Sequence, residues 1–140
     1  MNSIQEKTEY PAELWERAKS VTDMLLGSRN SAASQYLVAA VVIKAAEYEN
    51  KQVKVSEIFS KVGALCNISA QTVGTSVNRY IKRHWYSGDA KLQTHIFGKT
   101  IKFVRITPGA LKYITAVAYY CSNPAYENDA KNSEKLLTNR

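Results

Sequence analysis

The sequence predicts a mostly helical α+β domain in which a small β-hairpin follows four helices. Apolar residues make up 45% of the 140 residues, a fraction typical of a packed globular chain. In most segments the apolar residues recur at intervals of three and four, the period of an amphipathic helix. Between residues 91 and 107 they alternate with polar residues, as they do in strands. These observations predict one domain over residues 1–123 and a polar, flexible tail over 124–140.

Two helices are predicted in the N-terminal part of the chain. The first runs from Pro11, a favoured residue in a first helical turn, to Gly27, a typical C-terminal cap. The second covers residues 32–49 and is apolar nearly all round from Tyr36 to Ala46. Because an apolar helix must be covered on several sides, we expect the second helix at the centre of the core.

A short strand and a short helix are predicted next. Val53 and Val55 alternate with lysines, which is typical of a strand. Ser56 occupies the N-cap position of a third helix over about residues 57–64. The side chains that this helix would bury are Ile58, Phe59, Val62 and Leu65.

The fourth helix, residues 70–84, has an apolar side and a polar side. A tight turn over residues 66–69 precedes it, with Asn67 where a left-handed conformation is often needed and Ser69 as the N-cap. Gly74 lies at the edge of the apolar side, where a missing side chain would let the preceding helix approach closely. On a helical projection, roughly a third of the circumference is taken by the core-facing residues Val73, Val77, Tyr80, Ile81 and His84.

The polar side of the fourth helix offers hydrogen-bonding groups that suit DNA bases. Glutamine and asparagine form paired hydrogen bonds with adenine, arginine pairs with guanine, and threonine can bond a base or touch a thymine methyl group. Uncharged groups come first along the helix and cations come last, which is typical of a recognition helix whose N-terminal part enters the major groove. The residues on this side are Gln71, Thr72, Thr75, Asn78, Arg79, Lys82 and Arg83.

Positive charge is concentrated in the middle of the chain. Residues 1–50 carry a net charge of −2, residues 51–105 carry +8 and residues 106–140 carry +1, which together give the +7 of the whole chain. The middle segment contains only two acidic residues, Glu57 and Asp89. Localised positive charge attracts polyanions through phosphate neutralisation and counterion release. We therefore expect nucleic acid as the partner, and a basic face that is merely solvated is the alternative.

A hairpin is predicted after the fourth helix. Residues 91–97 and 100–107 alternate in polarity and are separated by Gly98 and Lys99, a pattern that favours two strands joined by a tight turn. Lysine and arginine residues lie at the tip of the hairpin and along both strands, which suits contact with a DNA backbone or minor groove.

The last helix, residues 110–123, carries more apolar surface than one core contact usually requires. One apolar stripe consists of Leu111, Ile114, Ala118 and Cys121, and a second of Tyr113, Val117 and Tyr120. The surplus predicts a homodimer through this helix and the N-terminal helix over 11–27. The alternative is that both helices simply cover the apolar second helix.

The order of these elements resembles that of a winged helix-turn-helix DNA-binding domain. The stretch "VKVSEIFSKVGALCNISAQTVGTSVNRYIKRHW", followed by "KLQTHIFGKTIKFVRIT", places a short strand, a helix, a tight turn, a recognition helix and a hairpin wing in the order of that family. The resemblance covers a core over residues 32–107, with flanking helices over 11–27 and 110–123. It implies that helix 70–84 lies in the major groove and that hairpin 91–107 is a wing. The implied DNA-binding residues are Gln71, Thr72, Thr75, Ser76, Arg79, Lys82 and Arg83 on the helix, and Lys91, Lys99, Lys102 and Arg105 on the wing.

No catalytic or metal site is predicted. Cys66 and Cys121 belong to no CxxC or histidine–cysteine cluster, and we interpret both as small buried side chains. His84 and His95 have no carboxylate, serine or cysteine at a supporting spacing. The chain also lacks a phosphate-binding loop of the GxxxxGK[ST] type. We therefore expect no enzymatic activity and no cofactor.

These features predict a protein that binds double-stranded DNA, first of all as a dimeric, sequence-specific transcriptional regulator. A replication, partition or chromatin-architecture protein is the alternative, as is a winged-helix module that binds an acidic protein. No apolar run approaches the roughly 18 residues of a membrane span, and the first ten residues lack the pattern of a signal peptide. We therefore expect a soluble protein of the cytoplasm, associated with the nucleoid, or of the nucleus if the source is eukaryotic.

Overall fold

The computed structural model describes residues 9–27, 30–98 and 107–123. Within these ranges every regular element is a helix, so the predicted α+β class is wrong for this part of the chain. The elements are α1 (Ala12–Leu26), α2 (Ala32–Glu47), α3 (Val55–Cys66), α4 (Ala70–His84), a single 3₁₀ turn (Trp85–Ser87), α5 (Ala90–Phe97) and α6 (Ala110–Ser122).

Helix α2 lies at the centre of the domain, as the sequence predicts. It packs against α1, α3, α4 and α6, and every residue from Leu37 to Ala45 is buried. A capping box starts the helix, in which the side chain of Ser31 accepts a hydrogen bond from the N–H of Ser34. A helix with this composition cannot lie on the surface without exposing apolar area, so the other helices surround it.

The predicted strand at Val53 and Val55 is wrong, because Val55 is the first residue of α3 and Lys54 is its N-cap. Both valines are half-buried against the core. Val53 and Val55 can be half-buried at the start of a helix as well as in a strand. Their alternation with lysines therefore does not distinguish the two structures. A strand would also need a partner for its backbone hydrogen bonds, and no strand occurs in the described ranges.

Residues 91–97 lie in helix α5 and do not form the first strand of a hairpin. Asp89 is the N-cap, and its Oδ1 accepts hydrogen bonds from the N–H groups of Lys91 and Leu92 at 2.9 and 3.2 Å. Gly98 ends the helix with a φ of 90°. The second predicted strand lies outside the described residues except for Thr107. A β-hairpin wing is therefore not supported.

The connection before α5 lies directly against the C-terminal end of α1. The N–H of Asp89 donates a hydrogen bond to the carbonyl oxygen of Met24 at 2.8 Å. A Cβ atom on Gly88 would lie only 1.7 Å from the carbonyl oxygen of Leu25, so this close approach requires glycine. α5 packs against α1 and α6.

Both apolar stripes of α6 are used within the chain. Their members are buried apart from Leu111, which is 43% exposed. Tyr113 is fully buried and donates a hydrogen bond to Thr22 Oγ1 at 3.2 Å, and its burial raises the pKa of its hydroxyl. The apolar surface of α6 that predicts a dimer is therefore largely buried by its contacts with α1 and α2.

A polar cluster at the end of α2 connects the segment before α1 to α3. Glu47 accepts hydrogen bonds from the hydroxyl of Tyr10 and from Lys61 Nζ, the latter at 2.7 Å. The hydrogen bond from Lys61, followed by that from Tyr10, lowers the pKa of Glu47. Burial, reinforced by the hydrogen bond to Glu47, raises the pKa of Tyr10 to about 12. The Glu47 carboxylate thus connects α2 to α3 and to the segment before α1.

None of the helices in the described ranges has both the length and the apolar character that a membrane crossing demands.

Candidate nucleic-acid interface

The turn between α3 and α4 has the conformation that Asn67 predicts. Asn67 adopts φ 59° and ψ 43°, the left-handed region that asparagine tolerates. The N–H of Ile68 donates to the carbonyl oxygen of Gly63 at 2.9 Å. A Cβ atom on Gly63 would lie 2.5 Å from the carbonyl oxygen of Ile68, so the tight turn needs this glycine. Gly63 is not among the residues predicted to shape this turn, although a lone glycine inside a short helical pattern is a signal for close packing.

Ser69 caps α4 as predicted. Its Oγ accepts a hydrogen bond from the N–H of Thr72 at 3.1 Å. The hydroxyl groups of Ser69 and Thr72 are also hydrogen-bonded, with 2.8 Å between the two oxygens. Thr72, which is predicted to face DNA, is exposed, and its hydroxyl group is bonded to Ser69 in the cap of α4.

The apolar side of α4 packs on the core as predicted. Val73, Val77 and Ile81 are fully buried. A Cβ atom on Gly74 would lie 3.0 Å from two ring carbons of Phe59, which confirms the close approach of α3 at this glycine. These contacts fix the rotation of α4 about its axis and thereby determine which residues face outward.

The outward side of α4 is exposed along its whole length, and we call it the α4 face. It consists of Gln71, Thr75, Asn78, Arg79, Lys82 and Arg83, all of them exposed, and these residues with Gly74 line a shallow depression. Ser76 is only half-buried and lies beside the face.

The side chain of Asn78 is partly committed to its own helix. Its Nδ2 donates a hydrogen bond to the carbonyl oxygen of Gly74, four residues earlier, at 2.9 Å. The amide oxygen of Asn78 takes no part in this bond and keeps its capacity to accept hydrogen bonds. Gln71, Thr75 and Arg79 make no side-chain hydrogen bond with any described residue, so their polar groups are available to a partner.

The α4 face is positively charged and has no acidic residue near it in sequence. Residues 58–88 contain neither aspartate nor glutamate. Arg79, Lys82 and Arg83 form no ion pair with any residue that the structure describes. The exposed surface of α1 differs, since Glu13 with Arg17 and Lys19 with Asp23 pair at a spacing of four residues.

Of the four residues predicted to lie on the wing, Lys91 is described, and it lies on α5 rather than on the α4 face. Lys91 is exposed in the first turn of α5, a helix that packs on α1 and α6. Lys99, Lys102 and Arg105 lie outside the described residues.

Both cysteines lie within the described ranges. Cys66, which is predicted to be buried, is only half-buried. No group of three histidine, cysteine, aspartate or glutamate residues there could hold a metal ion. Cys121 is fully buried, and burial raises the pKa of its thiol to about 12. Such a thiol stays protonated at neutral pH and is a poor nucleophile.

No family model matches this chain, and neither a curated protein nor a solved structure is significantly similar to it.

Proposed function

We propose that this chain binds double-stranded DNA and inserts the α4 face into the major groove. The observation that carries the proposal is the exposed side of α4, which combines amide, hydroxyl and guanidinium groups with no acidic residue in residues 58–88. A carboxylate on this side would be repelled by DNA phosphates. An ordinary exposed helix tends to mix both signs of charge, as α1 does.

The dimensions of α4 suit this role. Its 15 residues extend over about 22 Å, at a rise of about 1.5 Å per residue. The major groove is about 12 Å wide and admits one helix. Gln71, Thr75 and Arg79 follow one another at intervals of four residues, so they form a row that base edges can meet. Lys82 and Arg83 lie at the C-terminal end, where we assign them to phosphates.

A sequence-specific regulator of transcription is the role that we favour for this DNA-binding activity. The uncharged hydrogen-bonding side chains of the α4 face, Gln71, Thr75 and Asn78, precede its three cations along the helix, and such groups distinguish base pairs. A replication or partition protein is the alternative for the same contact, and an architectural protein would show little discrimination between sequences. The homodimer stays a prediction. Sedimentation equilibrium of the chain, with and without DNA, measures the molecular mass that tests it. Because the wing is not supported, we assign it no contact with DNA.

Binding to duplex DNA at several salt concentrations tests the proposal. Lys82→Ala on α4 and Lys112→Ala on α6 remove the same charge from exposed positions. We expect Lys82→Ala to raise Kd and to lower the slope of log K against log salt by about one, while Lys112→Ala changes both much less. Equal effects of the two variants would show that only net charge matters and would contradict the assignment to the α4 face.

Selection of duplexes from a random pool then separates the roles. Enrichment of a defined site would support a sequence-specific regulator, and a palindromic site would support a dimer. A pool that stays random while binding is retained would support an architectural role instead.

A further inference from the structure

The side-chain amide of Asn78 is held in one orientation on the α4 face. Its Nδ2 donates a hydrogen bond to the carbonyl oxygen of Gly74 at 2.9 Å. A carbonyl oxygen accepts hydrogen bonds and cannot donate them, so the nitrogen and not the oxygen of the amide must face Gly74. The chemistry of this contact therefore determines which end of the amide is the donor before any partner arrives.

The bond to Gly74 leaves the Asn78 amide with one donor hydrogen and one acceptor oxygen. The amide nitrogen carries two hydrogen atoms, and the bond uses one of them. The oxygen forms no hydrogen bond with any residue that the structure describes. In the major groove adenine presents an acceptor at N7 and a donor at N6, whereas guanine presents two acceptors, cytosine a donor, and thymine an acceptor and a methyl group. Adenine thus complements what the amide still offers.

The position of Asn78 fits a residue that contacts a base. It is exposed in the middle of α4 and lines the shallow depression with Gln71, Thr75 and Lys82. Gly74 lines the same depression and adds no side chain that would cover the amide. Asparagine is a weaker helix former than alanine or lysine, and an exposed residue adds nothing to the core. Neither helix stability nor core packing therefore explains an asparagine here.

The restrained side chain also lowers the cost of recognition. A free asparagine loses rotational freedom when it pairs with a base, whereas the bond to Gly74 already restrains Asn78. Arg79, the next residue, lies about 100° further round the helix. The two side chains therefore leave different edges of the α4 face, and we expect them to meet different base pairs.

We propose that Asn78 recognises an adenine in the major groove, with its oxygen accepting a hydrogen bond from adenine N6 and its remaining N–H donating to N7. This inference rests on the proposed DNA-binding function of the α4 face and adds to it a requirement for one adenine in the bound site. The bond to Gly74 stays in place during recognition, so the contact needs no rearrangement of the side chain.

Selection of duplexes from a random pool by the wild type and by Asn78→Ala tests the proposal. We expect the wild type to enrich a site with adenine at one position, and the variant to lose the preference at that position alone. On the wild-type site, Asn78→Ala should raise Kd about tenfold. Asn50→Ala is the matched control, because Asn50 is exposed outside the α4 face, and it should change neither the site nor Kd.

Replacement of that adenine by 7-deazaadenine tests the contact at one atom. The analogue lacks the N7 acceptor but still pairs with thymine. The Kd of the wild type should rise about three- to tenfold on the altered duplex. The Kd of Asn78→Ala should be the same on both duplexes, because the variant has already lost the donor to N7.

Each other outcome overturns a defined part of this proposal. If Asn78→Ala kept the full wild-type preference, or lost it at a G·C pair, recognition of adenine by Asn78 would be excluded and the function of the α4 face would stand. Equal losses of both proteins on the 7-deazaadenine duplex would exclude the contact with N7. Binding without any enriched site would reject this inference and retain DNA binding. If the wild-type chain bound no duplex in dilute salt, the proposed function itself would fail, and this inference with it.

Thermal unfolding confirms that Asn78→Ala retains the fold. Asn78 is exposed and alanine is the better helix former, so we expect the variant to be at least as stable as the wild type.

Discussion

The side-chain amide of Gln93 donates a hydrogen bond to the main-chain carbonyl oxygen of Leu25, 2.8 Å away and 68 residues earlier in the chain. The same nitrogen lies 2.6 Å from the carbonyl oxygen of Trp85. Leu25 is in the last turn of α1, where carbonyl groups have no partner within the helix. One buried amide therefore joins the end of α1, the turn after α4 and the helix α5.

Replacing Gln93 with leucine should destabilise the fold by about 2–3 kcal/mol. The variant lacks the buried amide donor, so the carbonyl oxygens of Leu25 and Trp85 each lose a hydrogen bond. Denaturant unfolding measures the change. Gln71→Leu makes the same substitution at an exposed helical position, and we expect it to change stability by less than about 0.5 kcal/mol. Similar losses for the two variants would contradict the role assigned to Gln93.

Gly88→Ala should destabilise the protein by more than about 2 kcal/mol. The added Cβ would meet the Leu25 carbonyl at 1.7 Å, and backbone atoms cannot move aside without separating the turn from α1. Gly109→Ala is the control, since a Cβ there has no atom within 4 Å. It should cost no more than about 1 kcal/mol, the usual difference between glycine and alanine at an N-cap. A tolerated Gly88→Ala would show that the turn does not lie against α1 in solution.

The cluster of Tyr10, Glu47 and Lys61 should make stability depend on pH at both ends of the range. The pKa of Glu47 is lowered from 4.5, so its contribution is present above that value and is lost as the pH falls through the lowered pKa. The pKa of Tyr10 is raised from 10.0 to about 12, so its contribution is present below pH 10 and is lost as the pH rises through about 12. The raised pKa of Lys61 acts in the same direction at high pH.

Two variants separate these contributions in unfolding measurements across pH. Tyr10→Phe should reduce the loss of stability between pH 10 and 12 while Glu47 and Lys61 stay paired. Glu47→Gln should remove the loss of stability that protonation of Glu47 causes at low pH. The free energies of unfolding of the variant and the wild type should therefore converge as the pH is lowered. A constant difference between Glu47→Gln and wild type at every pH would be incompatible with this cluster.

Arg79→Ala should weaken binding to a selected site by about 1–3 kcal/mol and relax the preference at one base pair. Arg79 is exposed in the middle of the α4 face, in a row with Gln71 and Thr75. Arg83→Ala, one turn further on, should weaken binding by a similar factor on all sequences. Competition with single-base variants of the selected site distinguishes the two results. Equal losses on every duplex for Arg79→Ala would make it a phosphate contact.

Much of the candidate site follows from local signals in the sequence. The bounds of α4, the left-handed Asn67, the cap at Ser69 and the approach of α3 at Gly74 are all confirmed. Each depends on residues within a few positions of one another, so neighbouring side chains are enough to predict it. The exposed side of α4 follows in the same way, because a helix with one apolar stripe turns its other side outward.

The sequence by itself determined where α1, α2, α4 and α6 lie along the chain and that α2 is central, because caps and apolar periodicity are local properties. Tertiary structure decided the state of residues 91–97. That short run satisfies both a strand and a helical pattern. The Asp89 cap is a local signal for the helix, and the contact of Gln93 with the distant Leu25 is the tertiary contribution that favours it. Tertiary structure also decided that α1 and α2 cover the two apolar stripes of α6. Periodicity predicts that a side chain is buried, but it does not predict which surface buries it.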